Sequence, residues 1–381
     1  MPNFMDLPMN RATLGVLFVG GALVVGFGSA ASMLWLPPLL ALVITLGAIL
    51  LLRRIAPRLG LIDRPTGHKT HTGEVPTVGG LAMFLGLVIA LPFTGLPSQT
   101  ITALLAACGI LVLVGALDDR LHLPVWVRFG AQISAALVMI HWGGVVLTDL
   151  GHLVTTERFT LGRWSVLMTV VATVGVINSM NMADGLDGLA GSLALTTFVL
   201  VGLLAANGHP EIAAIALPAS AALVAFLAFN APVPGRDPRG RLFMGDAGSM
   251  MLGLLISWCL IALAQGPERA IHPVTALWLF AVPLLDTLTV MLRRIHRGHS
   301  PFAPDREHFH HILVVAGYSK LKVVLTAVGV ALGMAGFGLL MLLIGIPEHW
   351  QFMIALATFV MAYVALRRAW RLQRWLHKKN A

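Results

Sequence analysis

The sequence predicts an all-α, polytopic integral membrane protein, a helical bundle of about 11 or 12 transmembrane helices. Hydrophobic residues make up 57% of the 381 residues and charged residues only 11%, whereas a soluble domain carries about 25% charged residues. The mean hydropathy is +0.84. Strand-length alternation is absent, and open sheets would leave backbone groups unsatisfied in lipid. We therefore expect a single transmembrane domain over residues 1–381.

Most of the apolar segments reach the ~20 residues that cross a hydrocarbon layer of ~30 Å as a helix. They lie at roughly 12–33, 36–52, 78–96, 101–117, 125–147, 164–180, 188–207, 211–230, 247–265, 272–292, 321–346 and 350–366. Segment 12–33 is either an added N-terminal helix, which we favour, or a cleaved signal. The basic tail 367–381 carries Trp370 and Trp375 between its cations, which favours an interfacial helix on anionic lipid.

Lysine and arginine are unequally divided between the two sides of these segments. One side carries 22 of them and the other carries 3, and the richer side is normally cytoplasmic. We expect a multi-pass protein of a bacterial inner membrane, with its polar loops and C-terminus in the cytoplasm. This bias accounts for the net charge of +9, so the expected partners are membrane lipids and anionic substrates, not nucleic acid.

Three aspartate-bearing stretches lie at predicted cytoplasmic helix ends, where ionisable groups are costly and usually functional. Asp118 and Asp119 end one apolar run, as a solvated pair beside Arg120 or as a base or metal-facing pair. Residues 178–191 read NSMNMADGLDGLAG. Residues 241–249 read RLFMGDAGS, in which an acid at a helix start is also favourable by about 0.3–1 kcal/mol through the helix dipole.

The stretch 178–191 combines Asn178, Asn181, Asp184 and Asp187 with three glycines. If this segment is helical, the two aspartates share a face. The glycines also expose backbone N–H groups at the next helix start, where phosphate binds well. The alternative is that Asp187 caps the helix and the glycines serve helix packing. A phosphate–metal site accounts for more of the residues.

Residues 293–313 read RRIHRGHSPFAPDREHFHHIL and concentrate histidine and arginine. Guanidinium groups pair bidentately with phosphate, which favours binding of phosphate or sugar. Zinc at the histidines and a plain positive-inside loop are the alternatives. Asp286 lies in the preceding apolar helix, where burial costs on the order of 3 kcal/mol. We expect it to pair with Arg293 or Arg294 in a structural role.

Read together, these stretches resemble the polyprenyl-phosphate N-acetylhexosamine-1-phosphate transferases. The matching motifs, in the family's order, are HxGxxPTVGG at 71–80, GALDDR at 115–120, NxxNMADGLDG at 178–188, FMGDAGS at 243–249 and SPFAPDREHFHH at 300–311. The HFHH form is most similar to the bacterial N-acetylglucosamine-1-phosphate branch. The branch that uses UDP-MurNAc-pentapeptide usually carries three consecutive histidines.

The resemblance implies that undecaprenyl phosphate attacks a UDP-N-acetylhexosamine, releases UMP and forms a lipid diphosphate sugar that initiates a surface glycan. It also implies Mg²⁺, with Mn²⁺ as a substitute, and a homodimer. By motif position Asp246 is the principal metal ligand and Asn181 a second one. The resemblance assigns catalytic roles to Asp118, Asp119, Asp184, Asp187, His308, His310 and His311.

The resemblance also implies a set of substrate-binding residues, in which Phe243 stacks on uracil. The others are Lys69, Arg128, Asn178, Asn230, Arg294 and Arg306. Its departures are segment 12–33 and the ungrouped His296 and His299. An ion-coupled transporter is the alternative of a different class. Transporters place acids near mid-membrane at broken helices, whereas these aspartates lie at predicted cytoplasmic ends.

Overall fold

Helices make up nearly all of the described chain. The computed structural model describes residues 35–63, 73–154, 157–206, 208–233, 241–300 and 308–380. In chain order the helices are α1 (Leu36–Leu59), α2 (Gly79–Ala90), α3 (Ser98–Leu121), α4 (Val125–His141), α5 (Ser165–Ala183), α6 (Leu189–Ala205), α7 (Pro210–Asn230), α8 (Gly245–Ala264), α9 (Pro273–Leu279), α10 (Ala281–His296), α11 (Phe309–Val315), α12 (Lys320–Leu343) and α13 (Glu348–Asn380).

Seven of the described helices are long and apolar enough to cross a membrane, namely α1, α3, α5, α7, α8, α12 and α13. The pair α9 and α10 makes an eighth candidate span, and α2, α4 and α6 are shorter apolar helices. The prediction of a polytopic helical membrane protein is therefore confirmed. Each predicted apolar segment from residue 36 onward contains a helix, while segment 12–33 lies outside the described residues.

One predicted helix limit was wrong. The segment expected over 272–292 is not continuous, because it breaks at Phe280 and its two halves meet at 88°. The basic tail continues α13 without interruption to Asn380, and its contact with anionic lipid stays a prediction. Within that helix Trp370 is buried, with the Arg293 guanidinium 5.9 Å from its ring centroid.

Helix α8 is the centre of the bundle. Of its membrane segment 94% is buried inside the protein, against 78% for α7 and none for α13. Glycine allows neighbouring backbones to approach α8 closely, as in other membrane helix pairs. A Cβ on Gly80 of α2 would meet the backbone of Gly248, and one on Gly115 of α3 would meet that of Ala247. These contacts fix the start of α8 against the end of α3.

Gly115→Ala is expected to lower the thermal unfolding midpoint, because the added methyl group would overlap the backbone nitrogen of Ala247. Overpacking of this kind typically costs about 1–3 kcal/mol. The matched control is Gly109→Ala on the same helix, where the nearest neighbouring atom lies 3.6 Å away, on Phe84. Thermal unfolding of both variants in detergent checks the prediction, and equal midpoints would contradict it.

A two-stranded antiparallel sheet ties the first polar loop to the start of α8. Its strands are β1 (Ile62–Asp63) and β2 (Val75–Pro76), and Ile62 pairs with Pro76. The carbonyl of Pro76 accepts a hydrogen bond from the Phe243 N–H at 2.9 Å. The chain that enters α8 is thereby held beside α2.

The opposite end of the bundle carries a cluster of charged residues that the sequence did not suggest. Arg269 forms ion pairs with Glu348, at the start of α13, and with Asp149 at 3.5 Å. Glu348 also accepts a hydrogen bond from the backbone N–H of His152 at 2.9 Å. The cluster connects two loops to the last helix, at the end of the bundle away from the aspartate and histidine motifs.

Candidate active site

The polar residues predicted from the sequence gather at one end of the bundle, where α3, α5 and α10 end and α4, α6 and α8 begin. A cleft of about 350 Å³ opens here, which we call the site cleft. Of the predicted residues, eight line it: Arg128, Asn178, Asn181, Asp184, Arg294, His308, His310 and His311. Phe129, Met182, Met250 and Met291 give it an apolar wall. Lys69 and Arg306 lie outside the described residues.

Asp118 faces the cationic side of the site. The Arg128 guanidinium lies 3.1 Å from its Oδ2 and 3.8 Å from Asp246 Oδ2. Arg128 therefore links the carboxyl groups of Asp118 and Asp246. The Oδ1 atom of Asp118 accepts a hydrogen bond from the Leu123 N–H at 2.6 Å, which fixes the turn after α3. Asp118 thus brings together α3, the arginine of α4 and the first turn of α8.

Asp119 is turned away from its neighbour and holds the start of α8. Its Oδ1 accepts the backbone N–H of Asp246 at 3.1 Å, which satisfies one of the N–H groups left open at a helix start. Gly245, with a φ of +71°, leaves no room for a side chain beside Asp119 Oδ2. The two adjacent acids therefore have different partners.

Asn181 and Asp246 meet between α5 and α8. The Asn181 Nδ2 donates to Asp246 Oδ1 at 2.6 Å and to the Ser249 hydroxyl at 3.0 Å. One turn earlier, Asn178 donates to Gln132 Oε1 at 2.7 Å. Because a half-turn of the amide exchanges its oxygen and nitrogen, Asn181 can present either atom at the same place.

Asp184 and Asp187 do not share a helix face, so that expectation was wrong. Helix α5 ends at Ala183, and the chain turns through Gly188, whose φ is +79°, before α6 begins. Asp184 lines the site cleft, whereas Asp187 pairs with Lys320 at 2.7 Å and lies 3.9 Å from Arg241. Burial, followed by the charges of Asp246, Asp119 and Asp187, raises the pKa of Asp184 well above its usual range.

Asn230 and Phe243 are not among the described residues that line the site cleft. Asn230 is buried and bridges two backbones, accepting the Gly188 N–H and donating to the Leu242 carbonyl, both at 2.7 Å. The carbonyl of Phe243 accepts the Gly79 N–H at 3.0 Å. The structure thus gives Asn230 a structural role where the sequence led us to expect contact with substrate.

The histidines close the site cleft from the side of α10 and α11. His308 and His310 stack with ring centroids 5.5 Å apart, and His310 and His311 lie 4.3 Å apart. His308 is hydrogen-bonded to Asp286, which is a correction to the expected pairing of Asp286 with Arg293 or Arg294. Among the described residues, no three His, Cys, Asp or Glu side chains are grouped to hold a metal. The zinc alternative therefore gains no support.

Comparison with known proteins identifies the family. The family described as Glycosyl transferase family 4 matches residues 101–264. The undecaprenyl-phosphate alpha-N-acetylglucosaminyl 1-phosphate transferase of Escherichia coli (strain K12) is 34% identical over 330 residues, which cover 86% of this chain and 89% of the relative. Proteins of the same name are 36% identical in Yersinia pestis (86% and 89% covered) and 34% identical in Haemophilus influenzae (87% and 93%).

The chain belongs to the polyprenyl-phosphate N-acetylhexosamine-1-phosphate transferase family. It is a multi-pass membrane phospho-sugar transferase. Sequence reasoning missed three side chains that support the site of this transferase: Gln132, Ser249 and Lys320. Two of them had a visible signal, because Gln132 is polar within an apolar helix and Ser249 follows Asp246 by three residues on one helix face.

Stability of the transferase should depend on pH through His310. Its ring is 1% exposed, and neither ring nitrogen has a hydrogen-bond partner among the described residues. Burial, with the nearby His311 second, lowers the pKa of His310 to about 3. The unfolded chain, with an ordinary pKa of about 6.5, binds this proton first as the pH falls. Folded stability is therefore full above pH ~6.5 and declines below it.

We expect the wild type to lose about 2 kcal/mol more stability than His310→Gln between pH 7 and pH 5. Thermal unfolding of both proteins in detergent at the two pH values measures this difference. His299→Gln is the control, because His299 is exposed and its replacement should leave the wild-type response intact. Identical pH responses of His310→Gln and the wild type would contradict the prediction.

Proposed function

We propose that this chain transfers N-acetylglucosamine 1-phosphate from UDP-N-acetylglucosamine to undecaprenyl phosphate, releasing UMP. The names of its relatives describe an undecaprenyl-phosphate N-acetylglucosaminyl 1-phosphate transferase. The structural observation that supports this most is the meeting of amides, arginines, histidines and Asp184 around one cleft. Asp118 and Asp246 contact this lining through Arg128 and Asn181. Arg128 and Arg294 can pair with a diphosphate, and a mixed polar and apolar cleft suits a lipid-linked reaction.

In this reaction an oxygen of the lipid phosphate forms a bond to the β-phosphorus of the nucleotide sugar. The bond from that phosphorus to the oxygen shared with the α-phosphate breaks, and its electron pair leaves on UMP. A phosphate monoester has a second pKa of about 6 and is largely ionised at pH 7. A strong base is therefore not required. The residues mainly have to align the two substrates and balance their charge.

The donor set fits Mg²⁺, which prefers one or two carboxylates together with waters and substrate phosphates. Asp118 and Asp246 already share the Arg128 guanidinium, at 3.1 Å and 3.8 Å, and Asp246 also contacts the amide of Asn181. Asp246 and Asn181 would hold the ion, Asn181 through its amide oxygen. The bound ion would neutralise charge on the diphosphate. Mn²⁺, which accepts the same oxygen ligands, is the expected substitute.

The site end is proposed to face the cytoplasm of a bacterium, because the lysine- and arginine-rich loops lie on the same side as the site motifs. UDP-sugars would then reach the site cleft from the cytosol and the lipid acceptor from the inner membrane. The product would initiate a surface glycan. A homodimer remains a prediction, which the mass of the detergent-solubilised protein would test.

The test is UMP release by the purified protein with Mg²⁺, undecaprenyl phosphate and a panel of UDP-sugars. We expect release with UDP-N-acetylglucosamine, dependent on the lipid acceptor and abolished by a chelator of divalent cations. Release with UDP-MurNAc-pentapeptide alone would move the chain to the peptidoglycan branch. No release with any sugar nucleotide would overturn the proposed activity and return attention to the transporter alternative.

A further inference from the structure

Asp286 lies in α10 at the edge of the site cleft, and both of its carboxylate oxygens are engaged. Its Oδ2 is 2.7 Å from the Nδ1 atom of His308. Its Oδ1 accepts the backbone N–H of Phe309 at 2.9 Å. The Asp286 and His308 residues are only 5% and 6% exposed. One buried carboxylate thus holds both the ring of His308 and the backbone that follows it.

This contact sets which nitrogen of His308 carries the proton. An ionised carboxylate only accepts hydrogen bonds, so in the neutral ring Nδ1 must be the protonated nitrogen. The other nitrogen, Nε2, is left for the site cleft, which His308 lines. A carboxylate on the far nitrogen is a common way to fix the tautomer and orientation of a functional histidine. Asp286 is not among the described residues that line the site cleft.

The backbone contact adds a second constraint. His308 is followed directly by α11, and Asp286 holds the first N–H of that helix. The ring of His308 also stacks on His310 with an interplanar angle of 11°. These three contacts, at Nδ1, at the following peptide and on the face of the ring, hold the His308 ring in one orientation. A buried acid with no positioning role would need only a positive partner to neutralise it, such as an arginine of its own helix.

We propose that Asp286 is a positioning residue, which acts through His308 by holding it as the Nδ1–H tautomer with Nε2 directed at the phosphates in the site cleft. The inference rests on the proposed function for the identity of the ligand. The pairing itself does not depend on that function. Asp286→Asn keeps the shape and the acceptor for the Phe309 N–H, but its amide donates to Nδ1. The variant therefore favours the opposite tautomer.

The first experiment is a double-mutant cycle on UMP release, with Asp286→Asn, His308→Gln and both together. We expect Asp286→Asn to lower turnover by about 10- to 100-fold, the usual cost of losing the partner that orients a functional histidine. The double variant should be no slower than His308→Gln, because Asp286 has nothing left to position. Thr289→Val is the control, since Thr289 is buried on the same helix and its hydroxyl has no partner among the described residues.

The second experiment reads the tautomer directly, by nitrogen-15 NMR of histidine-labelled protein in lipid, with His308→Gln to assign the signal. The His308 ring should give the Nδ1–H pattern in the wild type and the Nε2–H pattern in Asp286→Asn. The same tautomer in both proteins, or losses that multiply in the double variant, would overturn the proposal. An inactive wild type would refute the proposed function alone, because the NMR result still decides the role of Asp286.

Discussion

Asp246→Asn is expected to reduce turnover by at least about 10³-fold, the effect of losing roughly 4 kcal/mol of transition-state stabilisation. The substitution preserves the shape of the side chain and an oxygen that can accept from Asn181, now at 2.6 Å. It removes the negative charge that would hold a divalent cation against the diphosphate. It also removes repulsion with Asp118, so the folded protein should extract as well as the wild type.

The matched control is Asp149→Asn, which alters an acid at the opposite end of the bundle, 3.5 Å from Arg269. This variant should turn over at the wild-type rate, whatever its stability. UMP release at saturating concentrations of both substrates, together with the thermal midpoint, distinguishes the two variants. Turnover by Asp246→Asn at ordinary Mg²⁺ concentrations would remove Asp246 from the metal site.

Asp118→Asn should lower turnover by about 10²-fold or more, while the thermal midpoint stays near that of the wild type. Its charge holds the Arg128 guanidinium at 3.1 Å, beside the site cleft. An asparagine keeps the oxygen that accepts the Leu123 N–H, so the end of α3 is preserved. Without the charge, Arg128 loses the acid that orients it toward the diphosphate.

Asp119→Ala provides the contrast to Asp118→Asn. Asp119 accepts the N–H of Asp246 at the start of α8, and loss of such a cap costs about 0.5–2 kcal/mol. Its thermal midpoint should fall, and activity at low temperature should exceed that of Asp118→Asn. The reverse pattern, a stable and inactive Asp119→Ala beside an active Asp118→Asn, would contradict the division of labour drawn from the structure.

The fold was largely predictable because each membrane helix is marked by a run of apolar residues within its own stretch of sequence. About 20 apolar residues in a row define a span, and each predicted segment from residue 36 onward contains a helix. The break at Phe280 had a local signal in Pro283, which has no N–H to donate to the carbonyl of Leu279, where α9 ends. The surrounding residues are as apolar as in a straight helix, so hydropathy alone did not reveal the break. That break decides where Asp286 points.

The members of the site were also largely predictable, but their partners were not. Motifs identified the acids and histidines, whereas partners depend on which side of each helix faces a neighbour. Asp118 and Asp119 are adjacent in sequence, yet one contacts Arg128 and the other the backbone of α8. Asp187 meets Lys320 across 133 residues. Such contacts follow from the three-dimensional packing and leave no local pattern.

The enclosure of α8 has a consequence for the lipid acceptor. Asp246 starts a helix whose membrane segment is 94% buried inside the protein, so the acid stands inside the bundle, at a distance from its lipid-facing surface. The phosphate of the acceptor has to travel that distance inward while its tail remains in the bilayer. Each methylene drawn out of the hydrocarbon costs about 0.8 kcal/mol. That cost is the same for every tail, but a long isoprenoid tail keeps most of its carbons in the bilayer and so stays anchored while its phosphate reaches the acid.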